Sequence, residues 1–126
     1  MADSNGVDNM TQPSDALTVH ELTEMVYEHV YGWKEQQMGD QGGMWKKPDG
    51  HLMVLELLHT ARSWGQLYEY LCTKYASVQL HYDSGIHSIQ MWRDGKVIFA
   101  RDPELWRALA IAALKGVYVV TWLKEK

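Results

Sequence analysis

A single cysteine, Cys72, excludes an intrachain disulfide and any paired-cysteine metal knuckle in this chain of 126 residues. There is one phenylalanine against six tryptophans and seven tyrosines, and there are only three prolines. No apolar run approaches the ~20 residues that span a bilayer, so no membrane association is expected. No basic segment followed by an apolar one opens the chain, so no secretory leader is expected and the cytoplasm is the anticipated location. Residues 1–33 contain no lysine or arginine but carry Asp3, Asp8, Asp15, Glu21, Glu24 and Glu28. The other ten carboxylates face all twelve cations, so the net charge of −4 belongs to the front of the chain. A nucleic-acid binder would show a clustered basic face, and none is present, so direct nucleic-acid binding is not expected.

Catalytic patterns are equally scarce. The six histidines (His20, His29, His51, His59, His81 and His87) lack HExxH or comparable spacing, so no metal site is expected. The glycines at 39, 42 and 43 lack the spacing of a phosphate-binding loop. No nucleophile-elbow or kinase signature occurs. Cys72 adjoins the core position Leu71 and reads as a packed thiol. The chain is therefore expected to be neither an enzyme nor a cofactor carrier.

The pattern that is present points to one α+β domain over residues 17–126, preceded by a disordered acidic lead at 1–16. Thr18 and Glu21 have capping-box spacing, and the helix they open should stop near Gly32. Residues 34–50, with the turn Pro48-Asp49-Gly50, read as a loop. Val54, Leu57, Ala61, Trp64, Tyr68, Leu71 and Tyr75 alternate spacings of three and four, which predicts a second helix. Residues 78–101 read as three antiparallel strands. Two-residue turns at Ser84-Gly85 and Asp94-Gly95 pair Leu80 with Ile89, Met91 with Ile98 and Ile89 with Ala100. Asp102-Pro103 should open a last helix that ends near Gly116. The β-branched residues of 117–123 favour a fourth strand, although Ala113, Val117, Val120 and Leu123 would also continue a helix. The expected order is ααβββα, with a three- or four-stranded antiparallel sheet packed between helices as an α-β-α sandwich. An apolar tail of this kind could pair across a two-fold axis, so a homo-oligomer is expected.

Gly32-Trp33-Lys34, Met44-Trp45, Pro48-Asp49-Gly50 and the run Leu109-Ala110-Ile111-Ala112-Ala113-Leu114 occur in this order. In these features the chain resembles the phage ABA sandwich domain, over roughly residues 17–116. The segment 51–60 is more apolar than that family's approach to its second helix. The resemblance implies a phage accessory protein, acting in the host cytoplasm, with no assigned catalytic residues.

Candidate binding residues come from the aromatic content, since Tyr and Trp suit half-wet surfaces and dominate binding hot spots. In the expected register Trp92, Phe99, His81 and Arg101 share the second sheet face. There they could stack a planar ligand, with Arg101 on a phosphate. The competing reading is that the first helix covers this face. Trp33 and Trp45 flank the glycine-rich loop and complete the candidate set. The expected function is non-catalytic binding that inhibits or sequesters a host component, plausibly a defence protein. A sponge for a nucleotide signal is the first alternative, and a hydrolase or transferase is the second.

Overall fold

The structure, a computed structural model, describes residues 17–37 and 43–125, with side chains not described for 37, 43 and 118–125. The expected acidic lead at 1–16 and the centre of the glycine-rich loop lie outside the described residues.

Helix α1 spans Val19–Met25 and runs on into a π-helical turn, Val26–Val30. The expected capping box is formed: the Thr18 hydroxyl accepts the Glu21 N–H at 3.1 Å, and Glu21 Oε1 accepts the Thr18 N–H at 2.9 Å. The wider turn is closed by Tyr31 N–H donating to the Val26 carbonyl at 3.0 Å. Trp33 N–H reaches back to the Tyr27 carbonyl at 2.8 Å, and Gly32 between them takes φ +76°. Glycine adopts that left-handed conformation without steric cost, so the helix stops where expected.

The loop expected at 34–50 is instead part of a small antiparallel sheet. It consists of β1 (Lys34–Gln37), β2 (Gly43–Lys46) and β3 (Leu52–Val54) in that order. Lys34-Glu35-Gln36-Gln37 has no β-branched or aromatic residue, so local propensity gives no sign of the strand. Pairing supplies what propensity lacks: Trp45 sits opposite Glu35 on one side and Met53 on the other, and is only 3% exposed. Pro48-Asp49-Gly50 makes the expected turn, closed by Gly50 N–H to the Lys47 carbonyl at 2.9 Å and by His51 N–H to Asp49 Oδ1 at 3.0 Å.

Helix α2 spans Ala61–Lys74, capped by the Thr60 hydroxyl, which accepts the Ser63 N–H at 3.3 Å. The sequence leaves the start of this helix open between residues 52 and 63, and it falls at Ala61: Val54 lies in β3, and Leu57 lies in the connection. The buried positions are Ser63, Leu67 and Leu71, while Ala61 is exposed.

Strands β4 (Ser77–Asp83), β5 (Ile86–Arg93) and β6 (Lys96–Asp102) form the second sheet in the expected register. Ser84, Gly85, Asp94 and Gly95 all have positive φ, from 53° to 84°. Two such residues in a row match the right-handed twist of the flanking strands. Ile89, Met91 and Ala100 are buried on the inner face.

Helix α3 spans Leu105–Glu125. It begins two residues beyond Pro103, because Asp102 Oδ1 accepts the Glu104 N–H at 2.9 Å and so closes the turn ahead of the helix. Its length corrects the fourth strand expected at 117–123. Extending a helix already formed is cheaper than nucleating a new element, and this outweighs the β-branched composition. Gly116 is an interior position of α3 and does not end it. A Cβ there would overlap the Tyr75 hydroxyl, so the glycine serves close approach. The α+β class and the antiparallel pairing stand as expected. Helix α3 lies against β5 and β6, and also against α1, its π-turn and α2. The first helix thus packs on α3 and leaves the second face of the β4–β6 sheet open. On that face Val97 is 53% and Phe99 40% exposed.

In an ordinary helix interior Gly→Ala stabilises by about 1 kcal/mol. Gly116→Ala should do the opposite and cost about 1–3 kcal/mol, the range for overpacking a filled space. Urea midpoints check the sign, and adding Tyr75→Phe to Gly116→Ala should recover part of the loss.

Candidate functional site

The π-turn places Tyr27 and Tyr31 side by side, with ring centroids 5.8 Å apart. Trp33, just past Gly32, folds back to 4.7 Å from Tyr27 and 5.0 Å from Tyr31. Tyr70 of α2 meets Tyr31 nearly edge-on at 4.9 Å and 83°. Trp45 backs Tyr27 at 90° and 5.5 Å. Offset and edge-on arrangements of this kind each contribute about 0.5–1.5 kcal/mol beyond area burial. Tyr27, Tyr31, Trp33 and Tyr70 wall a cleft of about 620 Å³ between the π-turn, β3 and α2. Lys47, Met53, Glu56, Arg62 and Gln66 are among its other lining residues.

The floor of the cleft is fastened through Glu56. Its N–H donates to the Tyr27 hydroxyl at 2.9 Å, and its carbonyl accepts from the Ser63 hydroxyl at 3.0 Å and from Tyr27 at 3.4 Å. Its carboxylate pairs with Arg62 Nε at 3.3 Å. Two residues on, the Thr23 hydroxyl accepts the Leu58 N–H at 3.0 Å while donating to the Val19 carbonyl at 2.6 Å. These contacts hold residues 56 and 58 beside α1, and the turn that follows opens α2 at Ala61. The Tyr70 hydroxyl donates to the Val30 carbonyl at 3.1 Å.

Burial pushes the Tyr31 phenol well above the ordinary value, and the neighbouring Tyr27 and Tyr70 add to this. Burial raises Tyr27 as well, partly offset by the hydrogen bond from the Glu56 main chain. Both phenols are therefore neutral at physiological pH. The charged lining consists of Lys47, Arg62 and Glu56, two cations against one carboxylate. The Lys47 ammonium stands 5.7 Å from the centroid of the Trp33 ring, a cation–π geometry.

The six residues singled out from the sequence fall into two groups. Trp33 lines the cleft, and the buried Trp45 supports its wall. The other four lie on the open face of the β4–β6 sheet. Arg101 pairs with Ser88, and Ser88 with His81, forming one cross-strand row. Phe99 lies in the next row with Gln90 and Gln79, and Trp92 in the row beyond with Val97 and Ser77. Arg101 and His81 are exposed, and Trp92 is half-buried. Sequence reasoning missed Tyr27, Tyr31, Tyr70, Lys47 and Arg62 as a set. The four-residue spacing of Tyr27 and Tyr31 ahead of Trp33 was a readable signal, whereas the contribution of α2 depends on tertiary packing. Among the described residues no group of three or more His, Cys, Asp or Glu is placed to hold a metal ion, and no helix is long and apolar enough to cross a membrane.

No protein-family model matches this chain, and no curated protein does. Among solved structures, the crystal structure of a phage protein from Bacillus cereus ATCC 14579 matches with a TM-score of 0.62. The match covers 82% of this chain and 90% of the other, at 16% identity. This chain shares that fold. A phage protein thus has the same fold, while no family model places the chain in the ABA sandwich group.

Tyr27→Phe should cost about 1–3 kcal/mol, because it strands the Glu56 N–H, and chemical denaturation measures this. The raised phenols set a pH dependence. Their folded-state values lie above the unfolded value of 10.0, so their contribution is complete below that pH and is lost as pH rises through the folded values. Denaturation midpoints should be unaffected by these phenols below pH ~10 and fall as pH climbs beyond it, and Tyr31→Phe should flatten that fall.

Proposed function

We propose that this chain is a small phage-type accessory protein that acts by non-catalytic binding and sequesters a host component of low molecular mass. The cleft carries this reading. It is concave, walled by four aromatic rings and of a volume suited to a small ligand, within the range of about 300–1,000 Å³ for such sites. The hydroxyls of Tyr27, Ser63 and Tyr70 already serve main-chain groups. An oxygen committed in this way is poorly placed to act as a nucleophile or general base, which need a free reactive atom beside an activating partner. The cleft is accordingly suited to holding a molecule intact.

A second reading, inhibition of a host protein, is favoured by one separate observation. Phe99 and Val97 are exposed on an open sheet face that also carries Trp92, Arg101 and His81. Exposed apolar groups clustered among polar ones are a usual mark of protein contact.

Chain purified from host cells and then denatured by heat should release an intact small molecule, identified by mass spectrometry. Trp33→Ala should carry much less of it. Chemical conversion of that molecule by the folded chain would overturn the binding reading in favour of catalysis. If no small molecule is released, but a photo-crosslinker at position 99 traps one host protein whose activity the chain lowers, the second reading replaces the first.

A further inference from the structure

We infer that a second copy of this chain pairs along the free edge of β4, antiparallel about a two-fold axis at Leu80, and joins two three-stranded sheets into one continuous sheet. This inference does not depend on the cleft. The two-residue loop makes Asp83 and Ile86 the closing hydrogen-bonded pair of the β4–β5 hairpin. Bonded and non-bonded pairs then alternate. Gln79 and His81 direct their main-chain groups to β5, while Val78, Leu80 and Tyr82 turn theirs outward. The same alternation turns the main chain of Phe99 outward from β6. There the structure fills the position: Lys115 Nζ donates to the Phe99 carbonyl at 2.9 Å.

Edge strands are ordinarily protected by shortness, charge, proline, a bulge or a cover. β3 is only three residues long, β1 carries Lys34 and Glu35, and β6 carries Lys96 and Arg101 besides the Lys115 contact. β4 has none of these devices. Its seven residues pair with β5 in unbroken register and include no Lys, Arg or Pro. Among the described residues, nothing hydrogen-bonds to its outward main-chain groups. Its side chains are uncovered as well. Leu80 and Tyr82 lie on the helix-bearing face of the sheet, yet they are 41% and 66% exposed, since α3 packs on β5 and β6 rather than on β4.

The strand complements itself. With the axis at Leu80, each Leu80 faces its own twin, Val78 faces Tyr82, Gln79 faces His81 and Ser77 faces Asp83. The outward N–H and C=O groups then meet each other, apolar side chains meet apolar ones, and no like charges are opposed. Neighbouring registers lose this match. An axis at Tyr82 sets Leu80 against the turn residue Ser84, and one at Val78 sets Tyr82 against Lys74 of α2. The two-fold stands perpendicular to the sheet, so both helical layers lie on one side and the paired Leu80 and Tyr82 side chains fill the gap between them. An interface one strand wide is smaller than that of a standard stable complex, so association is reversible and depends on concentration.

Sedimentation of the full chain at concentrations rising to the millimolar range tests this pairing. The mass should climb from monomer to dimer and stop there. Leu80→Lys sets two like charges across the axis and should raise the dimer dissociation constant by about tenfold or more. Phe99→Lys on the open face should leave that constant unchanged, and circular dichroism checks both folds. In a Cys72→Ser background, Leu80→Cys should form an intermolecular disulfide under mild oxidation, since opposed Cα atoms in a bonded pair lie about 5.5 Å apart. Tyr82→Cys should not, because its twin lies four residues away along the strand. If Leu80→Lys unfolds, this disulfide pattern decides. A chain that stays monomeric throughout, a dimer that survives Leu80→Lys, or a disulfide at position 82 and none at 80 overturns the inference.

Discussion

Residues 108–114 of α3 are buried on every side, with exposure between 0% and 2%. A helix apolar around its whole circumference cannot lie on a surface, so the other elements must enclose it. The β4–β6 sheet contributes Ile89, Met91 and Ala100, while α1 contributes Leu22, the π-turn Val26, and α2 Leu67 and Leu71. Ala108, Ala110, Ala112 and Ala113 keep the helix narrow enough for close approach, and Gly116 extends this where Tyr75 crosses. Arg107 ties the start of α3 to the start of α1, donating to the Leu17 carbonyl at 3.1 Å. Lys115 does the same for the sheet edge, donating to the Phe99 carbonyl at 2.9 Å, and partial burial lowers its pKa.

The cleft is a consequence of this enclosure. With α1 and α2 both held against α3, the end of the π-turn and the middle of α2 come within ring contact of each other. The segment between β3 and α2 must then cross the gap outside any helix or strand. Its main-chain groups would be left without partners there, and the side chains of Tyr27, Ser63 and Thr23 supply them. Among the described residues no buried side-chain polar atom lacks a hydrogen bond. The hydroxyls that a chemist would first suspect of reactivity are thus occupied with structure, and the rings they belong to form the walls.

Legibility in the sequence followed the range of the interactions. The capping box at Thr18, the stop at Gly32, both tight turns and the whole β4–β6 register depend on contacts within a few residues or on strict alternation, and all were readable. The β1–β3 sheet was not, because Lys34-Glu35-Gln36-Gln37 becomes a strand only by pairing with a partner that Trp45 anchors. The start of α2 could be placed only between residues 52 and 63, because the helical rhythm of Val54 and Leu57 competes with contacts from residues 29 to 35 positions away that fix it at Ala61. The candidate site was half legible. Trp33 and the aromatic face with Trp92, Phe99, Arg101 and His81 could be singled out. The cleft needed Tyr70 and Arg62 from another helix.

By itself the sequence determined the α+β class, the hairpins and their facing residues, because alternation and turn chemistry act locally and leave one register that buries the aliphatic side. Only the tertiary structure decided that residues 117–123 prolong a helix, that a second sheet exists, and that four rings from two helical segments and the residue beyond Gly32 enclose a cleft. Those outcomes depend on which surfaces meet around α3, and no local pattern encodes that meeting.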